Sequence, residues 1–308
     1  MAGGYWVEGG GLDTLDKRVS MAGFKLELPL VAETAFSVPG HWFGCPPFAL
    51  FVLPLVLACV VDAPAAPAGQ HLLVATSVIA FGMLAFWTSL LLNMLGKKES
   101  EFGSGGIMDA YNLGLGFPGV VLSVLIAPHL AALLTYLLGS REAHQAACFY
   151  LASWFFTQVA ISFAKGRASR ERPCAGSISH ELLQVRRHFP QMQHMLMTRS
   201  GNSSFPSGDA AGAAVFAAAG LLACPQEAIA AGGALFFILC ALLGGWGRVY
   251  FHAHHVLDVV VGEAMAVGVT YLLACAFTPH LHWGAMLLAH IAASLALYFE
   301  HKKGKKLV

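Results

Sequence analysis

Apolar positions in this chain gather into long runs with polar residues confined between them, rather than alternating over short distances. The runs fall at roughly 46–63, 71–95, 112–139, 145–165, 207–224, 227–247, 255–277 and 283–300. An α-helix rises about 1.5 Å per residue, so about 20 apolar residues cross the hydrocarbon core of a bilayer. The pattern therefore predicts an all-α fold, a polytopic membrane helical bundle of about eight transmembrane helices. The first run is the weakest, being short and carrying Pro46, Pro47 and Pro54, and the third is expected to kink at Pro118 and Pro128. Membrane helices tolerate such residues where neighbours satisfy the freed backbone groups. The fifth to seventh runs are rich in small residues, among them Gly208, Gly212, Gly244, Gly245, Gly262 and Gly268. Small faces let helix backbones approach closely in lipid, which favours a tight bundle.

Composition agrees with the pattern. Of 308 residues, 57% are hydrophobic and 11% charged, and the mean hydropathy is +0.65. Soluble domains carry about 25% charged residues, so a soluble fold of this length is excluded. The net charge of +1 says little about partners, because the charges are unevenly placed, and no run suggests nucleic-acid binding. Seven cysteines, an odd number without a CxxC pair, lie mostly in or beside apolar runs. They read as buried free thiols, with Cys174, at the edge of a basic motif, as the one to watch. Residues 1–45 form an N-terminal tail without the pattern of a cleaved signal peptide, and an interfacial helix is expected near Leu15 to Leu30. Residues 46–300 make the membrane domain, and 301–308 a basic C-terminal tail. The 166–206 loop is long enough to act as a lid, against the plainer reading of a solvated connector.

Eight spans place the N-terminus, the 96–111 and 166–206 loops, the 248–254 turn and the C-terminus on one face. That face holds 17 of the 18 Lys and Arg residues, leaving Arg141 alone opposite. By the positive-inside rule it is the cytosolic face, or the matrix or stromal face of an organelle, with the endoplasmic reticulum favoured as the location.

Three short stretches on that face carry chemistry: Lys165-x6-Arg172-Pro173, Phe205-Pro206-Ser207-Gly208-Asp209, and Arg248-x5-His254-x3-Asp258. Lys165, Arg172 and Arg248 can offset the charge of a phosphoryl group, and the arginine fork matches its oxygens. Ser207 and Gly208 follow a proline at a helix start, where free backbone N–H groups favour an anion. His254 and Asp258, at i and i+4, share a helix face. The carboxylate can fix the imidazole tautomer and leave the other nitrogen free to attack phosphorus.

Singly, each stretch has an ordinary reading: a basic loop, a helix N-cap, a local ion pair. In this order at one membrane face they resemble the type 2 phosphatidic acid phosphatase superfamily. That family's pattern is Lys-x6-Arg-Pro, then Pro-Ser-Gly-His, then Ser-Arg-x5-His-x3-Asp. The resemblance covers roughly residues 70–280. It implies a six-helix core and metal-independent hydrolysis of a phosphate ester through a phosphohistidine on His254. His254 and Asp258 would be catalytic, with Lys165, Arg172, Ser207, Gly208 and Arg248 holding the phosphate. Two positions depart. Gly247 stands where the family has serine, at the expected cost of one phosphate hydrogen bond. Asp209 stands where the family has the histidine that protonates the leaving alkoxide. A carboxyl beside three cations should be held ionised, so Asp209 is only the provisional acid, with His252 and His255 as substitutes.

The expected partners are a lipid phosphate or diphosphate substrate and membrane lipids. No cofactor and no metal are expected, because His252, His254 and His255 form one cluster with no second histidine box. His129 and His290 read as hydrogen-bonded residues of the bundle, and His280 and His282 as residues of the last turn. The Asn202-Ser203-Ser204 sequon would stay unmodified on a cytosolic face. Two alternatives stay open: a lipid phosphotransferase, and a catalytically weak lipid-binding or structural subunit of a membrane complex. The sequence also leaves homo-oligomers open.

Overall fold

The computed structural model describes residues 11–37, 39–43, 48–63, 70–94, 124–168, 170, 172–173, 186, 188–189, 203–277 and 283–304. Among these residues the fold is helical and contains no strand. The principal helices are α1 (Gly11–Lys25), α2 (Leu53–Asp62), α3 (Gln70–Met94), α4 (Ala127–Leu138), α5 (Arg141–Ala168), α6 (Gly208–Ala223), α7 (Ala234–Tyr250), α8 (Val256–Phe277) and α9 (Trp283–Gly304). Short turns, Glu33–Ser37 and Phe48–Val52 in π geometry among them, join the N-terminal pieces.

Every apolar run coincides with helix wherever it is described. Three helical stretches are long and apolar enough to cross a membrane: Arg141–Ala168, Gln226–Tyr250 and Val256–Ala276. The second bends at Gly232, whose φ of 109° suits a residue without a Cβ. Phe48–Asp62, Gln70–Gly82, Ala127–Leu138, Gly208–Ala223 and Trp283–Leu295 are shorter apolar helices. The count of eight crossings therefore rests on the sequence pattern alone. Near Pro128, where a kink is expected, the helical path is interrupted: residues 124–125 are helical, Ile126 is a turn and α4 begins at Ala127. Pro128 lies in the first turn of α4, where its missing N–H would have no intrahelical partner. Pro118, the 96–111 loop and most of the 166–206 loop lie outside the described residues, as do Cys45, Cys174, Asn202, His280 and His282.

Helix α5 is the central strut. It packs against α2, α4, α6, α8 and α9, while α6 also packs on α7 and α8. Phe149, Tyr150 and Leu151 of α5 are fully buried with Val215 and Phe216 of α6 and Phe237 of α7. Between α6 and α7 the backbones come so close that a Cβ on Gly244 would collide with Ala213. His129 Nε2 and His290 Nδ1 lie 3.0 Å apart in the same bundle. The five described cysteines are free thiols.

The helix in the N-terminal tail ends at Lys25, short of Leu30. It is three-sided: Leu12, Leu15 and Val19 are exposed, Lys17 and Arg18 flank them, and Asp13, Asp16, Ser20 and Phe24 are buried. That buried side is polar because it meets charged groups at one end of the bundle, where α1 packs on α7 and α8.

Candidate functional site

The three stretches meet at that end. Lys165 closes α5, Ser207 caps α6, Arg248 closes α7, and His254 and Asp258 flank the start of α8. The turn between α7 and α8 folds over its own carbonyls. Ala253 N–H and His254 N–H both donate to Arg248 O, at 3.0 and 3.3 Å. His252 holds the left-handed φ of 57° that the turn requires.

His254 is 2% exposed. Its Nδ1 lies 2.7 Å from the carbonyl oxygen of Ser204. A carbonyl can only accept, so Nδ1 carries the proton and Nε2 keeps its lone pair. The tautomer is thus set by a backbone carbonyl, whereas the sequence pattern assigned that task to Asp258. Asp258 Oδ2 stands 3.7 Å from Nδ1, beyond a hydrogen bond but close enough to stabilise positive charge on the ring. Burial, with the charges of Arg248 and Arg172, drives the His254 pKa down from 6.5 to about 3 against the opposing pull of Asp258. The ring is therefore neutral near pH 7.

Asp258 is fully buried and doubly held. Oδ2 accepts from His255 N–H at 2.8 Å, the reach of a third helical residue back to its N-cap. Oδ1 accepts from Arg170 Nη1 at 2.5 Å. Arg170 also zips the two ends of the long loop together. Its N–H donates to Ser203 Oγ at 2.9 Å, and its carbonyl accepts from Ser204 N–H at 2.8 Å. One residue thereby places both the acceptor of the His254 proton and the carboxylate beside it.

The cations converge around this pair. Arg172 Nη1 donates to Ala253 O at 3.0 Å, and Arg248 is 1% exposed. Lys165 lies within electrostatic range of Arg172, Arg248, Asp209 and Asp258. Ser207 N–H donates to Asp258 O at 2.8 Å, and Ser207 Oγ accepts from Ala210 N–H at 3.4 Å. Gly262 makes room for this contact, because a Cβ there would reach 3.2 Å from the Ser207 carbonyl carbon. Gly208 sits behind Ser207, with its Cβ direction facing Gln158.

Both departures from the family pattern have visible surroundings. Asp209 Oδ2 is 2.7 Å from Arg248 Nη2, an ion pair that engages Asp209 as a carboxylate rather than as an acid. The Cβ direction of Gly247 is filled by the Ser37 carbonyl, and Gly40 Cα would lie only 2.9 Å away. A serine there would meet the N-terminal segment, which gives glycine a packing reason at this position.

The histidine cluster diverges. His252 Nε2 lies 3.0 Å from Arg186 Nη2 and 3.1 Å from the Phe24 carbonyl. Burial and the Arg186 charge press its pKa down to about 4. His252 is thus poorly suited to deliver a proton in place of Asp209. His255 contributes its backbone N–H to Asp258. Among the described residues no group of three or more His, Cys, Asp or Glu side chains converges as a metal site would require.

Sequence reasoning missed Arg170, Ser203, Ser204, Asp13, Asp16, Ser20 and Arg186. Arg170 lies inside the first motif, and its signal was diluted by Arg167 and Arg172 on either side. The buried side of α1 recurs as Asp13-x2-Asp16-x3-Ser20-x3-Phe24, a helical spacing whose residues are mostly polar.

A family model described as the PAP2 superfamily matches residues 146–281, which hold all three motifs. No curated protein and no solved structure matches the chain.

Proposed function

We propose that this chain, whose residues 146–281 match the PAP2 superfamily model, is a multi-pass membrane phosphatase acting on a lipid phosphate or diphosphate without a metal. The coarser part of this reading, phosphatase-type activity on phosphate esters, follows from the superfamily. The observation that carries the rest is the buried His254 with its Nδ1 against Ser204 O, within electrostatic reach of Arg248 and Arg172.

In this reading Lys165, Arg172, Arg248 and the N-terminus of α6 at Ser207 and Gly208 hold the phosphoryl oxygens. His254 Nε2 attacks phosphorus, and the bond to the leaving oxygen breaks with its electron pair on that oxygen. Asp258, 3.7 Å from the ring, offsets the positive charge that the imidazole gains. Water then cleaves the N–P bond, releasing phosphate and restoring the neutral ring. The substrate's tail lies in the bilayer, beside the exposed apolar faces of α7 and α8.

The Asp209–Arg248 pair favours a particular leaving group. An alkoxide needs a proton as it departs, whereas a phosphate leaving from a diphosphate is already a weak base. With its second-motif carboxylate ion-paired, the site suits diphosphate esters better than monoesters. A phosphotransferase would use the same nucleophile with an alcohol in place of water.

The test is release of inorganic phosphate from lipid monophosphates and diphosphates by the purified protein in chelator, beside His254→Ala. Release that the substitution abolishes supports the reading. No release from any of these lipids overturns it in favour of a binding or structural role.

A further inference from the structure

Helix α1 lies more than a hundred residues upstream of the matched segment, yet its buried side ends in the catalytic helix. A helix begins with N–H groups that have no intrahelical partner. In α8 the N–H of Val256 donates to Ser20 Oγ at 2.9 Å, and the N–H of Leu257 donates to Asp16 Oδ1 at 2.7 Å. His255 N–H is taken by Asp258. The start of α8 is thus capped partly by its own Asp258 and partly by a different helix. The cap residue that a local sequence would supply, serine, threonine, aspartate or asparagine, is absent from the position before Val256, where His255 stands.

The same helix also steers Arg170. Asp13 Oδ1 and Asp16 Oδ2 accept from Arg170 Nη2 at 2.9 and 2.6 Å, while Nη1 holds Asp258. Side chains of Asp13, Asp16, Arg170 and Asp258 are each at most 4% exposed. A guanidinium held by α1 on one side and by Asp258 on the other fixes the carboxylate that faces His254. Phe24 closes the contact, with its ring centroid 4.7 Å from that of His252. Arg186 then clamps the end of α1 to the end of α7 by donating to the carbonyls of Gly23, Leu26 and Tyr250.

We infer that α1 is a built-in part of the active centre: Asp13, Asp16 and Ser20, acting with Arg170, are positioning residues that hold Asp258 and His254 in place. None of them needs to touch substrate. Their effect falls on the catalytic step, because they set where Asp258 stands and not the cations that bind phosphate. The catalytic consequence rests on the phosphatase reading above, while the structural coupling of α1 to α8 does not.

Two readouts on the full-length protein in lipid nanodiscs separate the two. The first is amide hydrogen exchange over residues 254–260 in wild type, Asp16→Ala, Asp16→Asn, Arg170→Lys and the exposed control Arg18→Ala. Faster exchange there in Asp16→Ala, with α5 and α9 unchanged and Arg18→Ala like wild type, is the expected result. Unchanged exchange overturns the coupling whether or not the protein is an enzyme. The second is kcat and KM for phosphate release. A misplacement of about 1 Å at a reacting centre costs about 10²-fold in rate. Asp16→Ala should therefore lose about that much kcat with KM nearly unchanged, and Asp16→Asn, which keeps an acceptor for Leu257 N–H, should retain more activity. Loss confined to KM, or equal loss in Asp16→Ala and Arg18→Ala, overturns the positioning role. If Asp16→Ala does not fold, Asp16→Asn and Arg170→Lys supply both readings. If wild type releases no phosphate, the functional reading fails and the exchange arm alone decides the inference.

Discussion

On the proposed function, replacing Asp209 with histidine should change which leaving groups are tolerated. In the wild type the Asp209 carboxylate sits 2.7 Å from Arg248 Nη2 and is 15% exposed. At an effective dielectric of about 20, two unit charges at that distance attract by about 6 kcal/mol before desolvation is subtracted. Even a fraction of that sum opposes putting a proton on Asp209, so a departing alkoxide receives little help. General acid catalysis contributes about 10²–10⁴-fold, or about 3–5 kcal/mol of barrier. Asp209→His should recover part of this for a lipid monophosphate. For a diphosphate, whose leaving group needs no proton, kcat should change only a few-fold. Freed from its carboxylate, Arg248 should also bind phosphate more tightly, lowering the inhibition constant of inorganic phosphate with both substrates. The assay is steady-state phosphate release from matched monophosphate and diphosphate lipids in detergent micelles. Equal acceleration of both, or a slower monophosphate reaction, would refute the argument that the ion pair disables the acid.

Three further outcomes follow from the geometry. Gly247→Ser forces a side chain onto the Ser37 carbonyl and Gly40; overpacking of this kind costs about 1–3 kcal/mol, so the melting temperature in detergent should fall, and an unchanged value would show that the N-terminal segment yields freely. His252→Asn keeps a residue type that tolerates the φ of 57° and removes a titrating group. The folded His252 pKa is depressed from 6.5 to about 4, so the unfolded chain binds the proton first as pH falls, and wild type loses stability on this account between those values. From pH 6.5 to about 5 wild type should lose about 1.5 kcal/mol relative to the variant; parallel denaturation curves across that range would contradict the shift. Nitrogen-15 spectra of histidine-labelled protein should show His254 neutral with the proton on Nδ1 at about pH 6, since its pKa is depressed to about 3; a charged ring or an Nε2–H tautomer would contradict the Ser204 contact.

The helices and the motif residues were legible because both leave local marks. An apolar run long enough to span a bilayer is written contiguously, and Lys165, Arg172, Ser207, Arg248, His254 and Asp258 are recognisable by spacing and by lying at helix ends. The tension at Asp209 was legible too, since a carboxylate placed among cations attracts one of them. The acceptor for His254 was not legible, because Ser204 contributes a backbone carbonyl, which every residue possesses. Nor was the role of α1. Asp13 and Asp16 in a polar N-terminal tail read like solvated charges, and only the fold brings them to Arg170.

The central claim is that His254 is the nucleophile. It is tested most directly by mixing the protein with a lipid diphosphate for a single turnover, quenching in alkali, where a phosphohistidine survives, and sequencing the peptides by mass spectrometry. The account predicts a phosphoryl group on His254, absent from His254→Ala and accumulating before phosphate appears. Turnover with no phosphorylated histidine, or with the phosphoryl group on another residue, would contradict it.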